Sequence, residues 1–335
     1  MVNIMGTFYV TEQYTILKKE DERVKLFKGK EVLADIPIFK INQVIIFGEV
    51  TTTASVLRLF AENNITVCYL TAFGKFVSKL ECNYKKNVIV RINQYKKHID
   101  ENNESLKIAK KFISGKIKNS RTVLMKNTRG NQSDKCKEVI KELAKLEKTI
   151  NDQTLLDSLR GIEGRAASTY FSVFSEMIKG DFSFDSRNKR PPKDPVNAML
   201  SFGYTLLANE MSSALSAIGL DPYLGFLHRL RYGRTSLALD LMEEFRSIFV
   251  DRLVLSIINN RILTQDDFEE TLGEVRINKK AIKKFLEAYE LKKRDTIFHP
   301  IFKYKVTYQQ CFHLQARLLS KAIVGEIEYT PFIIR

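Results

Sequence analysis

Short segments in which polar and apolar residues alternate fill the first quarter of the chain and predict β-strands. Seven segments between residues 5 and 82 are rich in Val, Ile, Phe and Tyr, namely TFYVT, TILKK, RVKLFK, KEVLADI, QVIIFG, ITVCYL and KFVSKLE. One interruption, TTTASVLRLFAENN, has the period of a helix instead. Strands at this spacing favour a small β-sandwich with one inserted helix.

From about residue 86 the apolar residues recur every three or four positions, which predicts helices. The helical segments are KNVIVRINQYKKHID with SLKIAKKFISGKI (one long helix or a broken pair), KCKEVIKELAKLEKTI, TLLDSLRGIEGRAASTYFSVFSEMI, PVNAMLSFGYTLLANEMSSALSAIG, SLALDLMEEFRSIFVDRLVLSII, NKKAIKKFLEAYELKK and roughly Tyr304–Ile323. The polar segment DFSFDSRNKRPPKDP is typical of a mobile surface loop, and GEIEYTPFIIR of a short tail. We therefore expect an α+β protein with a sandwich-like β-rich domain over residues 1–84 and a larger all-α domain over residues 85–335.

Positive charge is concentrated in one part of the chain. The formal net charge is +15, and residues 85–148 hold 18 Lys and Arg against 7 Asp and Glu, so that +11 lies there. A solvated helix surface accounts for some of this charge, but a one-sided excess is typical of proteins that bind polyanions. The segment lacks the aromatic-rich apolar face of an interfacial helix, so nucleic acid is favoured over a membrane surface.

Several classes of protein are disfavoured by what the sequence lacks. No apolar run approaches the roughly 20 residues that span a bilayer. The first residues, MVNIMGTFYVTEQY, do not have the pattern of a signal peptide, and we expect a cytoplasmic protein. The four cysteines, Cys68, Cys82, Cys136 and Cys311, form no CxxC pair, which argues against a thiolate zinc site.

Glu163 is the first candidate for chemistry. On a helical wheel it falls in the middle of an apolar face formed by Leu159, Ile162, Ala166, Ala167, Tyr170 and Phe174. A carboxylate facing a core is unfavourable unless a cation or hydrogen-bond donors meet it. An internal ion pair with Arg165 or Arg229 explains it as well as a metal ligand or an acid–base group does.

Two further segments offer groups of the same kind. His228 precedes a basic, glycine-containing loop, RLRYGR, whose guanidinium groups suit phosphate oxygens. In SLALDLMEEFRSIFVDR, Asp240 and Glu243 stand one helical turn apart, and clustered carboxylates suit Mg²⁺ or Mn²⁺. A solvated basic loop and a solvated acidic helix face remain the plain alternatives. Together the three segments supply two acids and an imidazole, a set that suits a metal acting on a phosphodiester.

At these residues the sequence resembles the family of CRISPR-associated protein one, an adaptation integrase and endonuclease. The resemblance covers nearly the whole chain and is densest in GIEGRAASTYF, DPVNAMLSFGYTLL and GLDPYLGFLHRLRYGRTSLALDLMEEFRSIFVDR. It implies an N-terminal β-sandwich used for homodimerisation and a C-terminal helical catalytic domain.

The resemblance also implies roles for individual residues. The metal, Mg²⁺ or Mn²⁺, is expected on Glu163, His228 and Glu243, with Asp240 as a further catalytic acid beside it. The residues expected to contact DNA are Arg165, Asn197, Ser201, Tyr204, Arg229, Arg231, Arg234 and Arg246.

The implied reaction is a metal-assisted transesterification in which the 3′-hydroxyl of a protospacer strand attacks a phosphodiester at the edge of a repeat. The expected partners are double-stranded and branched DNA, a second copy of the chain and CRISPR-associated protein two, with no membrane. Two other hypotheses remain open: a non-catalytic nucleic-acid-binding scaffold whose acids form ion pairs, and an unrelated metal nuclease acting on branched DNA.

Overall fold

The first quarter of the chain folds into two β-sheets and one helix. The computed structural model describes residues 2–4, 6–80, 87–100, 103–130 and 132–334. One sheet, in the order β1-β2-β6-β8-β9, comprises Val2–Ile4, Gly6–Val10, Ile41–Phe47, Thr66–Leu70 and Phe76–Leu80. The other, in the order β5-β4-β3-β7, comprises Glu31–Pro37, Arg23–Lys28, Thr15–Glu20 and Val50–Thr52. Helix α1, Ala54–Glu62, is capped by the Thr53 side chain, which accepts a hydrogen bond from the Val56 amide.

The five-stranded sheet is covered on both faces because its residues alternate between two apolar clusters. Phe8 and Val10 of β2 face the second sheet and α1, whereas Tyr9 between them faces the helices. In β6, Val44 likewise faces the second sheet and α1, and Ile45 faces the helices. Strands β2, β6 and β8 pair in parallel, which is the arrangement expected of strands buried on both faces.

The rest of the chain is mainly helical. Its helices are α2 Val88–Ile99, α3 Glu104–Asn127, α4 Asp134–Thr149, α5 Leu156–Phe171, α6 Pro195–Ile218, α7 Ser236–Met242, α8 Arg252–Asn259, α9 Lys279–Arg294 and α10 Tyr308–Val324. Short 3₁₀ turns lie at Ile38–Lys40, Phe174–Met177 and Gln265–Asp267. None of the described helices is both long enough and apolar enough to cross a bilayer.

The α+β class predicted from the sequence is confirmed. The long helical segment at residues 88–127 is a broken pair, α2 and α3. The predicted domain boundary at residues 84 and 85 lies outside the described residues, as does Cys82. Cys68, Cys136 and Cys311 are buried free thiols.

Two features of the helical part differ from the expectation of helices alone. Hairpins β10–β11, Phe268–Thr271 with Glu274–Ile277, and β12–β13, Thr296–Phe298 with Lys305–Thr307, connect its last helices. The helix expected over residues 236–258 is interrupted, because a π-helical turn at Arg246–Asp251 separates α7 from α8. The hairpin strands were missed because they are short and largely charged.

Candidate active site

Two acids from separate segments meet at the ammonium of Lys116, and an imidazole lies beside one of them. Lys116, on α3, forms an ion pair with Glu163 of α5, and its Nζ lies 2.8 Å from Glu243 Oε2 just after α7. His228 Nε2 lies 3.9 Å from Glu243 Oε1. The structure therefore brings Glu163, His228 and Glu243 together, and Lys116 is a fourth group among them.

Asp240 fixes the orientation of His228. Its carboxylate accepts hydrogen bonds from the amides of Phe226, Leu227 and His228 at 2.6, 2.9 and 2.9 Å. His228 Nδ1 lies 2.6 Å from the same carboxylate, so Nδ1 carries the proton that it donates. In the neutral ring Nε2 is then left with its lone pair toward Glu243.

Asp240, expected as a further catalytic acid, is fully buried. Its carboxylate is occupied by three amides and the imidazole, so in this arrangement it positions His228.

Glu243 is held as an anion although it is almost completely buried. Burial alone would raise the pKa of its carboxyl, but Arg246, Lys116 and His228 outweigh burial and lower the pKa to about 2. Arg246 Nε lies 3.0 Å from Glu243 Oε1. Glu243 Oε2 faces the Lys116 ammonium at 2.8 Å, so each oxygen of this carboxylate lies against a cation.

Glu163 and Lys116 line a cavity of about 460 Å³ between α3, α5, α6 and the π-helical turn, and Glu243 lies beside Lys116 outside its lining. Its apolar wall comes from Ile117, Leu143, Ala166, Ala167, Tyr170 and Phe171. Its cations are Lys116, Arg187, Lys189 and Arg246. A cavity with one apolar wall and several cations suits a negatively charged, partly aromatic ligand such as a nucleotide.

The π-helical turn directs two charged side chains, Arg246 and Asp251, toward the cavity. In a π-helix the backbone hydrogen bonds join residues five apart, so these two residues lie on the same side of the turn. Tyr204 donates a hydrogen bond to Asp251, and the Arg246 guanidinium lies 4.7 Å from the centre of the Tyr204 ring. Burial raises the pKa of Asp251 to about 6, although the hydrogen bonds from Tyr204 and Tyr170 oppose the rise.

The loop between α5 and α6 brings a cation that the sequence did not indicate. Arg187 donates to Asn197 Oδ1 at 2.6 Å and to Ser201 Oγ at 3.0 Å, and its guanidinium lies 5.6 Å from the Tyr204 ring centre. Asn197 is fully buried and also donates to Asp194 and to the carbonyl of residue 186. Asn197 therefore holds this loop in place, and Tyr204, beside Arg187, lines the cavity described above.

The arginines expected to contact DNA fall into two groups. Arg246 is in the cavity, while Arg165 is exposed and paired with Glu142 at 2.5 Å. Arg229 is exposed and lies 2.9 Å from Asp157, so neither Arg165 nor Arg229 is the partner of Glu163. Arg231 is exposed and Arg234 is half-buried on the loop after His228.

The donor set fits a hard divalent ion. Two carboxylates and an imidazole nitrogen are ligands that Mg²⁺ or Mn²⁺ accepts. The two carboxylates already hold one cation between them, the Lys116 ammonium. Within the described ranges, no three His, Cys, Asp or Glu side chains are already arranged as ligands of one ion. Lys116 supplies the positive charge between the two acids instead.

Lys116 was missed, although the sequence carries a signal for it. Like Glu163, it falls on the apolar face of its own helix, among Phe112, Ile113, Ile117 and Ser120. A charged residue on an apolar helix face indicated Glu163 on α5, and the same criterion would have indicated Lys116 on α3.

The comparisons with known proteins agree on one family. The sequence model described as CRISPR associated protein Cas1 matches residues 8–291. "CRISPR-associated endonuclease Cas1 3" of Thermus thermophilus is 39% identical over 335 residues, which cover 99% of this chain and 98% of that relative.

Two solved structures have a similar fold. One is described as "Casposase bound to integration product", with a TM-score of 0.85 and 24% identity over 98% of this chain and 93% of that one. The other is a chain of a "Cas6-RT-Cas1--Cas2 complex", with a TM-score of 0.83 and 24% identity over 99% of this chain and 36% of that one.

Proposed function

The chain belongs to the Cas1 family of CRISPR-associated proteins, and on that basis we propose that it is a metal-dependent DNA endonuclease and integrase of CRISPR adaptation. The observation that carries this proposal is the meeting of Glu163, His228 and Glu243 beside a cation-rich cavity.

Glu163, Glu243 and His228 Nε2 are the groups that would hold Mg²⁺ or Mn²⁺. The bound ion would polarise the phosphodiester and stabilise charge on the attacking or leaving oxygen. Asp240 keeps His228 in the tautomer that leaves Nε2 free. Arg246, Lys189 and Lys116 provide positive charge for the non-bridging phosphate oxygens at the cavity.

The proposed reaction exchanges one phosphodiester for another. The 3′-hydroxyl of a protospacer strand attacks the phosphorus at the edge of a repeat and a new P–O bond forms. The bond from that phosphorus to the 3′-oxygen of the preceding nucleotide breaks, and this oxygen takes up a proton and leaves as a 3′-hydroxyl. Water in place of the hydroxyl gives hydrolysis of branched DNA.

The proposed partners are double-stranded and branched DNA, a second copy of the chain joined through residues 1–84, and CRISPR-associated protein two. One of the two similar structures is a Cas1–Cas2 assembly by name, which supports the last of these. The concentrated positive charge of residues 85–148 supports DNA.

Two variants test the catalytic proposal. Glu163→Gln and His228→Ala should each lower strand joining and branched-DNA cleavage by roughly 100-fold or more, because each removes a ligand. The assay uses the purified chain, CRISPR-associated protein two, a repeat-bearing plasmid and Mn²⁺ or Mg²⁺. Glu287→Gln, on the exposed face of α9, is the matched control. Undiminished joining in either ligand variant, with the control active, rules out the assignment.

A non-catalytic scaffold is the second candidate, and the ion pairs of Lys116 with Glu163 and Glu243 favour it. If these pairs are purely structural, Mn²⁺ should leave the melting temperature unchanged. A metal site instead gains stability with Mn²⁺ concentration, and Glu163→Gln reduces that gain.

A further inference from the structure

The proposed joining reaction needs a proton donor beside the leaving oxygen. The released 3′-oxygen takes up a proton, and a side chain positioned in the cavity can supply that proton as the bond breaks. Such a group must line the cavity, carry a proton near neutral pH, be able to release it and be free to approach the substrate. The titratable groups of the cavity that keep a proton near neutral pH are its lysines, its arginines and two tyrosines.

Three of the four cations in the cavity are unsuited to this task. Lys116 is paired with Glu163 and Glu243, which raise the pKa of its ammonium although burial opposes them. Arg246 Nε lies 3.0 Å from Glu243 Oε1, and Arg187 donates to two side chains of α6. A guanidinium does not release a proton at any pH at which a protein stays folded.

The tyrosines and the buried acid of the cavity are also unsuited. Burial raises the pKa of Tyr170 and of Tyr204 well above the usual value, and the charge of Asp251 adds to the rise. Asp251 is almost completely buried, and its carboxyl accepts the hydrogen bond of Tyr204. These groups are engaged with one another in the wall of the cavity.

Lys189 is the remaining candidate. It is exposed and lines the cavity, so it lies where the cavity opens to solvent. Within the part of the chain that the structure describes, its ammonium takes part in no ion pair or hydrogen bond. Withdrawal of this ammonium from bulk water lowers its pKa, and repulsion by Arg246 and Arg187 lowers the pKa further. The attraction of Glu163 and Glu243 opposes the change without cancelling it.

We propose that Lys189 is the general acid of the joining reaction, in addition to the positive charge that it supplies. This inference rests on the proposed function of the chain. As the bond from phosphorus to the 3′-oxygen breaks, its electron pair passes to the oxygen, and the Lys189 ammonium donates a proton there. The attacking 3′-hydroxyl releases its own proton to solvent, and the neutral amine of Lys189 takes one up from solvent. In the reverse reaction the neutral amine removes the proton from the 3′-hydroxyl.

The experiment replaces the leaving oxygen by sulfur, which leaves without a proton because a thiol is a much stronger acid than an alcohol. Repeat duplexes with a 3′-oxygen or a 3′-sulfur at the attacked phosphate are compared, with CRISPR-associated protein two and Mg²⁺. Lys189→Arg keeps the positive charge but cannot release its proton. It should lower the joining rate about 100-fold with oxygen and stay within about threefold of the wild type with sulfur. Lys193→Arg, exposed on the same loop and outside the cavity lining, should match the wild type on both.

The pH dependence of joining gives a second measurement. With oxygen, the wild-type rate should decline as the pH rises through the pKa of Lys189, which lies below the ordinary lysine value, because the proton to be donated is then lost. With sulfur this decline should be absent. A decline that is the same for both substrates overturns the proposal.

Two further results would overturn the role of Lys189, and neither is the result that would overturn the metal site. One is undiminished joining of the oxygen substrate by Lys189→Arg, and the other is an equal loss on both substrates, which assigns Lys189 to binding alone. Glu163→Gln should lower joining by a similar factor on both substrates, because it removes a proposed metal ligand. Undiminished joining by Glu163→Gln contradicts the metal site only.

Discussion

Lys116 joins two acidic side chains that come from different helices. Burial lowers the pKa of its ammonium, but Glu243 and Glu163 outweigh burial, so the pKa is raised and the charge is kept. A metal ion bound by the same two acids, as we propose, would compete with this ammonium for the same oxygens. Lys116 is therefore the counter-charge of the two acids, and on that proposal it lowers the affinity for metal.

Replacing Lys116 by Met should lower the stability of the metal-free protein and increase the stabilisation that a metal ion provides. In chelator we expect a loss of about 1–3 kcal/mol, smaller than for a fully buried pair because Arg246 still faces Glu243. With Mn²⁺ the variant should gain more stability than the wild type, about 1.4 kcal/mol for each tenfold gain in affinity. Urea unfolding measures both. Lys118→Met, an exposed lysine of α3 paired with Glu147, is the control; equal Mn²⁺ effects in all three proteins contradict the argument.

Asp251 should make stability depend on pH in a defined window. Its pKa is about 6 in the folded chain, against about 3.9 unfolded. Between these values the folded state keeps a proton that the unfolded state has lost. The stabilisation that comes from this proton is complete below about pH 4. The free energy of unfolding then falls by about 3 kcal/mol as the pH rises through about 6.

The variant Asp251→Asn isolates this contribution because an amide does not titrate. The free energy of unfolding of the wild type minus that of Asp251→Asn should decrease from about pH 4 to about pH 6 and then level off. Urea titrations at half-unit steps of pH measure it. A difference that stays constant with pH shows that Asp251 ionises normally in the folded protein.

At the scale of elements, the last residues of the chain are a structural part of the site. Glu244, next to Glu243 but facing the other way, accepts hydrogen bonds from Tyr329 Oη at 2.6 Å and from the Phe332 amide at 2.8 Å. Asn119 of α3 donates to the carbonyls of Glu244 and Phe332 and accepts from the Ile334 amide. The tail thereby fixes α3, which carries Lys116, against the segment that carries Glu243.

Asn119→Leu should be strongly destabilising because it leaves three buried backbone groups without partners. At about 1–3 kcal/mol for each group, we expect a loss of roughly 3 kcal/mol or more. Asn127→Leu, on the same helix, removes one side-chain bond to the Val123 carbonyl and should change stability by less than about 1 kcal/mol. Thermal or urea unfolding compares the two, and similar losses in both variants contradict a special role for the tail.

At the scale of the whole molecule, one buried ionic cluster joins the sheet to the helices. Lys293 Nζ of α9 lies 2.6 Å from Glu210 of α6 and 2.7 Å from Glu290, and it donates to Thr7 of β2. Tyr9 of the same strand donates to Glu290 at 2.6 Å. These groups tie the five-stranded sheet to α6 and α9 with fixed geometry.

Lys293→Met should destabilise the whole chain by about 3–5 kcal/mol, since it leaves two buried carboxylates without their cation. Lys107→Met removes an exposed partner of Glu104 and should change stability by less than about 1 kcal/mol. Unfolding followed separately by a label in the sheet and one in the helices should show a single shifted transition. A sheet that melts independently in the wild type contradicts the coupling.

The sequence by itself determined the features that depend on local periodicity. Alternation at two residues placed the seven longer strands of residues 6–80, and the 3.6-residue period placed the helices. Glu163 on an apolar helix face indicated a candidate site before any contact was known. The excess of Lys and Arg in residues 85–148 also indicated a polyanion partner. This prediction needs no structure, because the net charge of a segment follows from its composition alone.

Only the tertiary structure decided which groups meet. Lys116 and Glu163 are 47 residues apart and Arg187 reaches the cavity from a loop, so no spacing in the sequence pairs them. The direction of each side chain decided the roles of two further residues: Asp240 faces the loop of His228, and Asn197 faces the loop of Arg187. Periodicity fixes the face of an element on which a residue lies, but its partner depends on how the elements pack, and packing involves the whole chain at once.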